Sequence, residues 1–436
     1  MRPRSPWWIV GPAVAATSVV AAGFAVLFRA ATTAATHALG GRNVVEMISA
    51  TPAWARLALP AAGGLVAGLI ALQIARQRGT SGVGFVMEAI VLGRERVPLT
   101  RSALQMLSSW AAIVSGNSLG REGPLIQFGA AAGEGARRAF KLTDASAQVV
   151  LASGVAAGFA AAYNAPMAAT LFVIEVVTGV LILEAAVPIL LAAVVATVIT
   201  QYSVGGAPLY GHRDWGGVAP IELLAFAGLG VIAAPVGVLF LRLLAYAERG
   251  WRLLPVPARS AAGGLVCGCA LLVIPEVAGN GFEPLEAVLD GKLAIVAVGW
   301  LLLAKPLATA ASVGSGNPGG VFTPTLLIGG LVGAGYAAVL ASAGANVTPG
   351  AYALVGLGAA LAATTHAPIM AAVLACELTG DFALMLPLLL ACALSAGIAR
   401  RLYVDNVYSS ELTRRGLRWR LTLDGRRQIE KVEPEP

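Results

Sequence analysis

Two stretches of this chain lie 200 residues apart and share a skeleton. Ser115 to Gly129 reads SGNSLGREGPLIQFG, and Ser315 to Gly329 reads SGNPGGVFTPTLLIG. Six positions coincide at the offset of 200: Ser115/Ser315, Gly116/Gly316, Asn117/Asn317, Gly120/Gly320, Pro124/Pro324 and Gly129/Gly329. Each copy passes from a glycine-rich turn through a proline into an apolar segment, the pattern of a helix start. A second pair of landmarks keeps step. Ala165-Pro166 is followed nine residues after the proline by Glu175, and Ala367-Pro368 by Glu377 at the same spacing, at an offset of 202. A chain duplicated at two landmarks folds as two like halves. The spacing alone leaves open whether they are parallel or inverted.

The surroundings of these stretches decide the class. Of 436 residues, 57% are hydrophobic and only 12% charged, with a mean hydropathy of +0.78; soluble domains carry roughly a quarter charged residues. The apolar residues come in long runs rather than in alternation, which argues against a β-barrel. The expected fold is an all-α polytopic membrane protein. Apolar runs near 125–136, 165–178 and 367–379 fall short of the roughly 20 residues a straight span needs. Short, Gly- or Pro-broken segments in corresponding places of two halves point to a transport site near the bilayer midplane. The first run, Trp7 to Phe28, exceeds the roughly 7–15 residues of a signal sequence and reads as a retained first helix.

The net charge is +7, with Lys and Arg at segment ends, as the positive-inside rule expects; nucleic acid is not implied. The basic loops at Arg76 to Arg101, at Arg137, Arg138 and Lys141, and after Arg400 are expected on the cytoplasmic side, with both termini, in the cell inner membrane. One transmembrane transport domain is expected over 1–412, its halves about 1–205 and 215–412, followed by a short basic tail, 413–436, solvated or at the lipid surface. Cys267, Cys269, Cys376 and Cys392 match no metal or disulfide spacing and read as small buried hydrophobes. His37, His212 and His366 are too scattered for a metal centre. No metal or cofactor is expected.

Chemistry concentrates in three glycine-rich turns: 79–84, 115–124 and 315–324. Each offers backbone N–H groups at a helix start, where unpaired donors and the helix dipole attract an anion without a full positive charge. A permeating anion is better served by such partial charges than by a tight ion pair. Glu122 has a plain reading, a first-turn acid stabilised by about 0.3–1 kcal/mol, and a functional one, since acids within membranes mark transport pathways.

The residues Gly120-Arg121-Glu122-Gly123-Pro124 resemble the GREGP signature of the CLC family of chloride channels and chloride–proton antiporters. Gly320-Val321-Phe322-Thr323-Pro324 resembles its GxFxP signature, and Tyr408 in Asn406-Val407-Tyr408 looks like its pore tyrosine. The resemblance spans roughly 10–412 and is closest to a short bacterial branch without nucleotide-binding tail domains. It implies a CLC-type fold of two inverted repeats with many short, broken and tilted helices, and a homodimer with a separate pathway in each subunit. It further implies Glu122 as the gate, whose carboxylate competes with chloride. Backbone N–H groups of Val321 and Phe322 and the hydroxyls of Ser81 and Tyr408 would surround the central anion, with Gly123 near the outer site. Chloride is the implied transported ligand.

Two positions depart from the family pattern. The first signature is GSGIP, whereas this chain has Thr80-Ser81-Gly82-Val83-Gly84, with Gly84 in place of the proline. The family's antiporters usually carry a proton-transfer glutamate where this chain has Val176. Channel-like or loosely proton-coupled chloride transport is therefore expected, with strict chloride–proton antiport the alternative. Ser81 as a helix cap, Tyr408 as an interfacial aromatic, and Glu175 and Glu377 as acceptors for backbone freed at helix breaks are the structural alternatives. Lys305 reads either as snorkelling to an interface or as lining a vestibule. From another class, Gly79-Thr80-Ser81-Gly82 spells G-x-S-G, and an intramembrane serine hydrolase would need His366 as its base. A transporter for fluoride or a carboxylate is a third reading.

Overall fold

The computed structural model of the protein describes residues 5–76, 82–93, 96–180, 182–414, 416–421 and 427–431. The chain runs α1 (Trp7–Ala38), α2 (Val44–Ala50), α3 (Ala53–Arg76), α4 (Val83–Leu92), α5 (Leu99–Val114), α6 (Glu122–Ala139), α7 (Asp144–Tyr163), α8 (Pro166–Leu171) and, after a π-helical turn over Phe172–Thr178, α9 (Leu183–Val204). It continues through α10 (Glu222–Trp251), α11 (Val256–Val273), α12 (Phe282–Leu289), α13 (Ile295–Gly314), α14 (Phe322–Ser342), α15 (Pro349–Thr365), α16 (Pro368–Thr379), α17 (Met385–Leu402) and α18 (Ser409–Arg414). Among the described residues, nine helices are long and apolar enough to cross a membrane. The protein is an integral membrane protein.

The expected first helix, 7–28, extends to Ala38. In its polar final turns the hydroxyls are satisfied by the helix backbone: Thr32 Oγ1 donates to the Phe28 carbonyl at 2.8 Å and Thr36 Oγ1 to the Thr33 carbonyl at 2.9 Å. The stretch from Arg76 to Arg101, expected as a basic loop, contains α4. Ten residues, apolar but for Glu88 and set between clusters of arginine, are too few to register as a span, yet α4 buries Phe85, Val86, Met87 and Ile90. The all-α architecture holds for the membrane part. The segment expected as a short basic tail carries an antiparallel hairpin, β1 (Leu417–Leu421) with β2 (Arg427–Lys431), pairing Leu417 with Lys431 and Leu421 with Arg427.

The two halves repeat each other helix by helix. α1 packs on α7 and α9, and α10 packs on α15 and α17; α6 packs on α7 as α14 packs on α15. The halves meet where α3 crosses α11, and small residues permit that crossing. A Cβ on Gly64 would lie 2.3 Å from the Ser260 carbonyl oxygen, and one on Gly264 would lie 2.1 Å from the Pro60 carbonyl oxygen. Removing side chains here lets backbones approach closely, the usual means of helix association in lipid.

The halves are inverted, and among the six coincident positions Gly120 and Gly320 join them directly. Gly120 N–H donates to the Gly320 carbonyl at 2.7 Å, and Gly320 N–H donates to the Gly120 carbonyl at 2.7 Å. Such a reciprocal antiparallel pair relates its two strands by a local two-fold. Gly116 and Gly316 turn the chain out of α5 and α13 with φ of +97° and +92°, a region where a side chain is strained. Asn117 Nδ2 donates to the Pro60 carbonyl at 2.9 Å, and Asn317 Nδ2 donates to the Ser260 carbonyl at 3.1 Å. Gly129 and Gly329 let α6 and α14 touch α7 and α15, where a Cβ would approach the carbonyl oxygens of Gly154 and Gly356 to 2.0 and 2.5 Å.

The second landmark pair closes the halves on each other. Glu377 accepts from the N–H groups of Met167 and Ala168 at 2.9 and 2.8 Å, and Glu175 accepts from those of Ile369 and Met370 at 3.4 and 2.6 Å. Each carboxylate caps the broken helix of the other half, satisfying donors that lipid cannot. Replacing Glu377 with alanine is expected to cost about 1–3 kcal/mol, the usual penalty for orphaned backbone donors. The check is thermal unfolding in detergent, with flux per folded molecule unchanged.

Candidate functional site

The site is built on Glu122, the first residue of α6. Its side chain is 1% exposed and reaches across the joint into the other half. Oε1 accepts from the Phe322 N–H at 2.7 Å. Oε2 accepts from Thr323 Oγ1 at 3.2 Å and from the Tyr163 hydroxyl at 3.3 Å. Tyr163 and Thr323 hydroxyls lie 2.9 Å from each other. The carboxylate therefore rests on the N-terminus of α14, where the helix dipole and unpaired amides favour negative charge. A carboxylate taken out of water is costly unless hydrogen-bonded, and three donors from two elements supply those bonds.

The carboxylate lies close against both glycines of the joint. A Cβ on Gly320 would lie 1.9 Å from Glu122 Oε1, and one on Gly120 would lie 2.3 Å from it. Behind Phe322 stands an aromatic cluster: its ring centroid lies 5.3 Å from Phe159, 5.4 Å from Tyr163 and 6.4 Å from Phe172. Phe172 in turn meets Tyr408 edge-on at 5.6 Å. These rings pack against the α14 terminus.

One cavity of about 210 Å³ brings most of the sequence-derived residues together: Glu122, Gly123, Val321 and Tyr408 all line it. Phe322 does not line it and contributes through its N–H to Glu122. Ser81 lies outside the described residues; Gly82 and Val83, which follow it, line the same cavity. Four residues that sequence reasoning did not single out also belong here. Gln127 accepts from the Gly82 N–H at 2.8 Å, and Glu411 accepts from the Gly84 N–H at 2.9 Å. Tyr163 and Thr323 bind the Glu122 carboxylate. Thr323 sits within the second signature, one residue from Phe322, and was legible there. Tyr163 reaches Glu122 across 41 residues with no spacing that signals it.

Arg121, the neighbour of Glu122, points elsewhere. Its Nη2 donates to the Ala162 carbonyl at 3.2 Å, and it lines a second cavity of about 200 Å³ together with Arg29, Arg42 and Glu283. Consecutive residues thus contribute to separate cavities, one predominantly basic. Lys305 neither snorkels nor lines either cavity. It is fully buried, and its Nζ donates to the Val277 and Gly279 carbonyls at 2.8 and 2.9 Å, clamping the loop before α12. Val176 is buried in the π-helical turn and borders a third cavity with Glu175, His366 and Arg400. Cys267, Cys376 and Cys392 are buried as expected; Cys269 is exposed, on the outward side of α11.

Comparison with known proteins agrees with this architecture. The family profile described as voltage gated chloride channel matches residues 63–400. A chloride channel protein described as ClcB-like from Ralstonia nicotianae is 38% identical over 383 residues, covering 86% of this chain and 89% of that protein. The voltage-gated ClC-type chloride channel ClcB of Escherichia coli O9:H4 is 36% identical over 365 residues, covering 81% of this chain and 86% of that protein. Among solved structures, a slow cyanobacterial Cl⁻/H⁺ antiporter superposes with a TM-score of 0.85 at 22% identity, over 95% of this chain and 99% of that one. A CLC-type fluoride/proton antiporter superposes with a TM-score of 0.78 at 21% identity, over 93% and 98%. These structures share the fold.

A pair of inverted repeats meeting at facing helix starts defines a membrane transport protein. The chain belongs to the voltage gated chloride channel family, the CLC family, whose members are transporters and not enzymes. The serine hydrolase reading falls with that assignment.

Proposed function

We propose that the protein moves chloride across the bacterial inner membrane through a pathway gated by Glu122. The observation that carries this reading is the seat of the Glu122 carboxylate on the Phe322 N–H at 2.7 Å. The negative charge stands where a helix N-terminus would otherwise hold an anion, so an anion binds there only when the carboxylate leaves or is neutralised. Chloride is also the ion in the names of the ClcB relatives. Val321, Gly123 and Tyr408 line the path beside the gate, and Ser81 precedes the lining residues Gly82 and Val83. The transport unit spans 1–412 as halves of about 1–205 and 215–412, works as a homodimer with one pathway per subunit, and has both termini in the cytoplasm.

Transport is channel-like or loosely coupled to protons. Val176 has no group to carry a proton, and it borders a different cavity from Glu122. Strict antiport is the competing mode, favoured by the antiporter titles of the structural neighbours. Chloride efflux from proteoliposomes, with simultaneous pH recording under an imposed chloride gradient, separates the two. The expected result is chloride flux without stoichiometric proton movement. Uphill proton transport driven by chloride would establish antiport instead. An anion-substitution series in the same vesicles is expected to rank chloride above fluoride.

A further inference from the structure

The Glu122 gate has a counterpart that its own signature does not contain. Glu411, on α18, lines the same cavity as Glu122. Its Oε2 accepts from the Gly84 N–H at 2.9 Å, so its carboxylate sits on the first turn of α4. The two arrangements correspond. Glu122, from the first half, sits on the N-terminus of α14 in the second; Glu411, from the end of the second half, sits on the N-terminus of α4 in the first. Resting on the proposed function above, we propose that Glu411 is a second gating carboxylate, which competes with chloride for the α4 end of the cavity and releases it when protonated.

The departure at position 84 makes this contact available. The GSGIP pattern would place proline there, and proline has no N–H to donate. Any side chain would also crowd the acid, since a Cβ on Gly84 would lie 2.8 Å from the Glu411 carboxyl carbon and 2.9 Å from Oε2. Glycine at 84 and glutamate at 411 therefore act as one unit. A Cβ on Gly82 would likewise lie 2.7 Å from Glu411 Oε1, so the acid lies against both Gly82 and Gly84.

The charged groups around Glu411 are of both signs. On α18 itself, Arg414 pairs with Glu248 of α10. Asp405, in the loop before α18, accepts from Thr413 Oγ1 at 3.1 Å, and it borders the cavity along with Glu248, Tyr408 and Glu122. α4, against whose first turn the acid lies, carries Glu88. Glu122, Glu248, Asp405 and Glu411 border one cavity, and like charges set close together favour proton uptake.

The experiment compares wild type with E122Q, E411Q, E411D, Gly84→Pro and the E122Q/E411Q double variant, as full chains in proteoliposomes. Chloride efflux is measured at equal pH on both sides over roughly pH 4 to 8, where carboxylates titrate. Chloride binding is measured by calorimetry at the alkaline end. The amide introduced by E411Q keeps an oxygen to accept from the Gly84 N–H, so this variant retains the local cap. Position 84 falls in the first turn of α4, where proline is tolerated.

E411Q is expected to bind chloride about threefold to tenfold tighter than wild type, the scale of removing one charge from a helix terminus. E411D keeps the wild-type pH response, and Gly84→Pro loses part of it, as E411Q does. E122Q keeps a residual pH response that the double variant lacks. If E411Q matches wild type in affinity and pH profile while E122Q does not, the second gate is refuted and the Glu122 reading stands. A lowered melting temperature in E411Q with both profiles unchanged marks a structural cap only and also refutes it. If E122Q leaves both profiles unchanged, the underlying Glu122 reading fails instead.

Discussion

Flux through the Glu122→Gln variant is expected to be high at neutral pH and nearly flat across the range in which carboxylates titrate, roughly pH 3 to 8. On the proposed reading, wild-type flux is expected to rise as pH falls, because protonation would remove the charge that competes with chloride at the Phe322 N–H. Glutamine carries no charge at any pH, so this variant resembles the protonated wild type throughout. The neutral-pH increase is expected to be about tenfold or more, since displacing a carboxylate held by three donors involves more than about 1.4 kcal/mol. Chloride efflux from proteoliposomes over a pH series checks it. Any small slope that remains is expected to come from Glu411.

A second large effect is expected at a residue that bears no charge. Gly320→Ala would place a Cβ 1.9 Å from Glu122 Oε1, and the carboxylate cannot share that space. Two consequences follow. Overpacking a rigid joint destabilises the fold by about 1–3 kcal/mol, and the displaced carboxylate no longer sits on Phe322, so flux loses its dependence on pH. Adding Glu122→Ala removes the clashing atoms. The double variant is therefore expected to recover most of the lost melting temperature, a non-additivity that only a direct contact produces. Equal losses with and without Glu122 would show that the alanine acts on the Gly120–Gly320 pairing alone.

The joint is legible in the sequence because each coincident position answers to a contact made twice. Asn117 and Asn317 each bond a carbonyl of the helix crossing, and Gly120 and Gly320 pair with each other. Equal geometry on both sides of a local two-fold demands equal residues. The same logic extends to Gly63, Gly64 and Gly68 against Gly263, Gly264 and Gly268, which mark the crossing of α3 and α11. That signal lies at the same offset of 200 and is hidden because both segments read as ordinary apolar spans. Glu175 and Glu377 follow from the second landmark, and their reciprocal caps match the structural reading of them.

What the sequence hides is contact that no spacing encodes. Glu411 stands three residues past Tyr408, at the edge of what reads as a basic tail, and only the fold returns it to the first turn of α4. α4 itself is masked by the arginines around it. Lys305 resembles a snorkelling cation in an apolar run, whereas two backbone carbonyls hold its ammonium group in full burial. In each case the decisive partner comes from the other half or from a loop far along the chain.

The central claim is that the Glu122 carboxylate stands in the place of a transported anion. It is tested most directly by determining the structure of the Glu122→Gln variant in bromide and locating the ion by its anomalous scattering. Bromide is expected within hydrogen-bond reach of the Phe322 N–H, where Glu122 Oε1 lies in the unaltered protein. Bromide absent from that position in the variant, or present there in the wild type with the carboxylate still seated, would contradict the account.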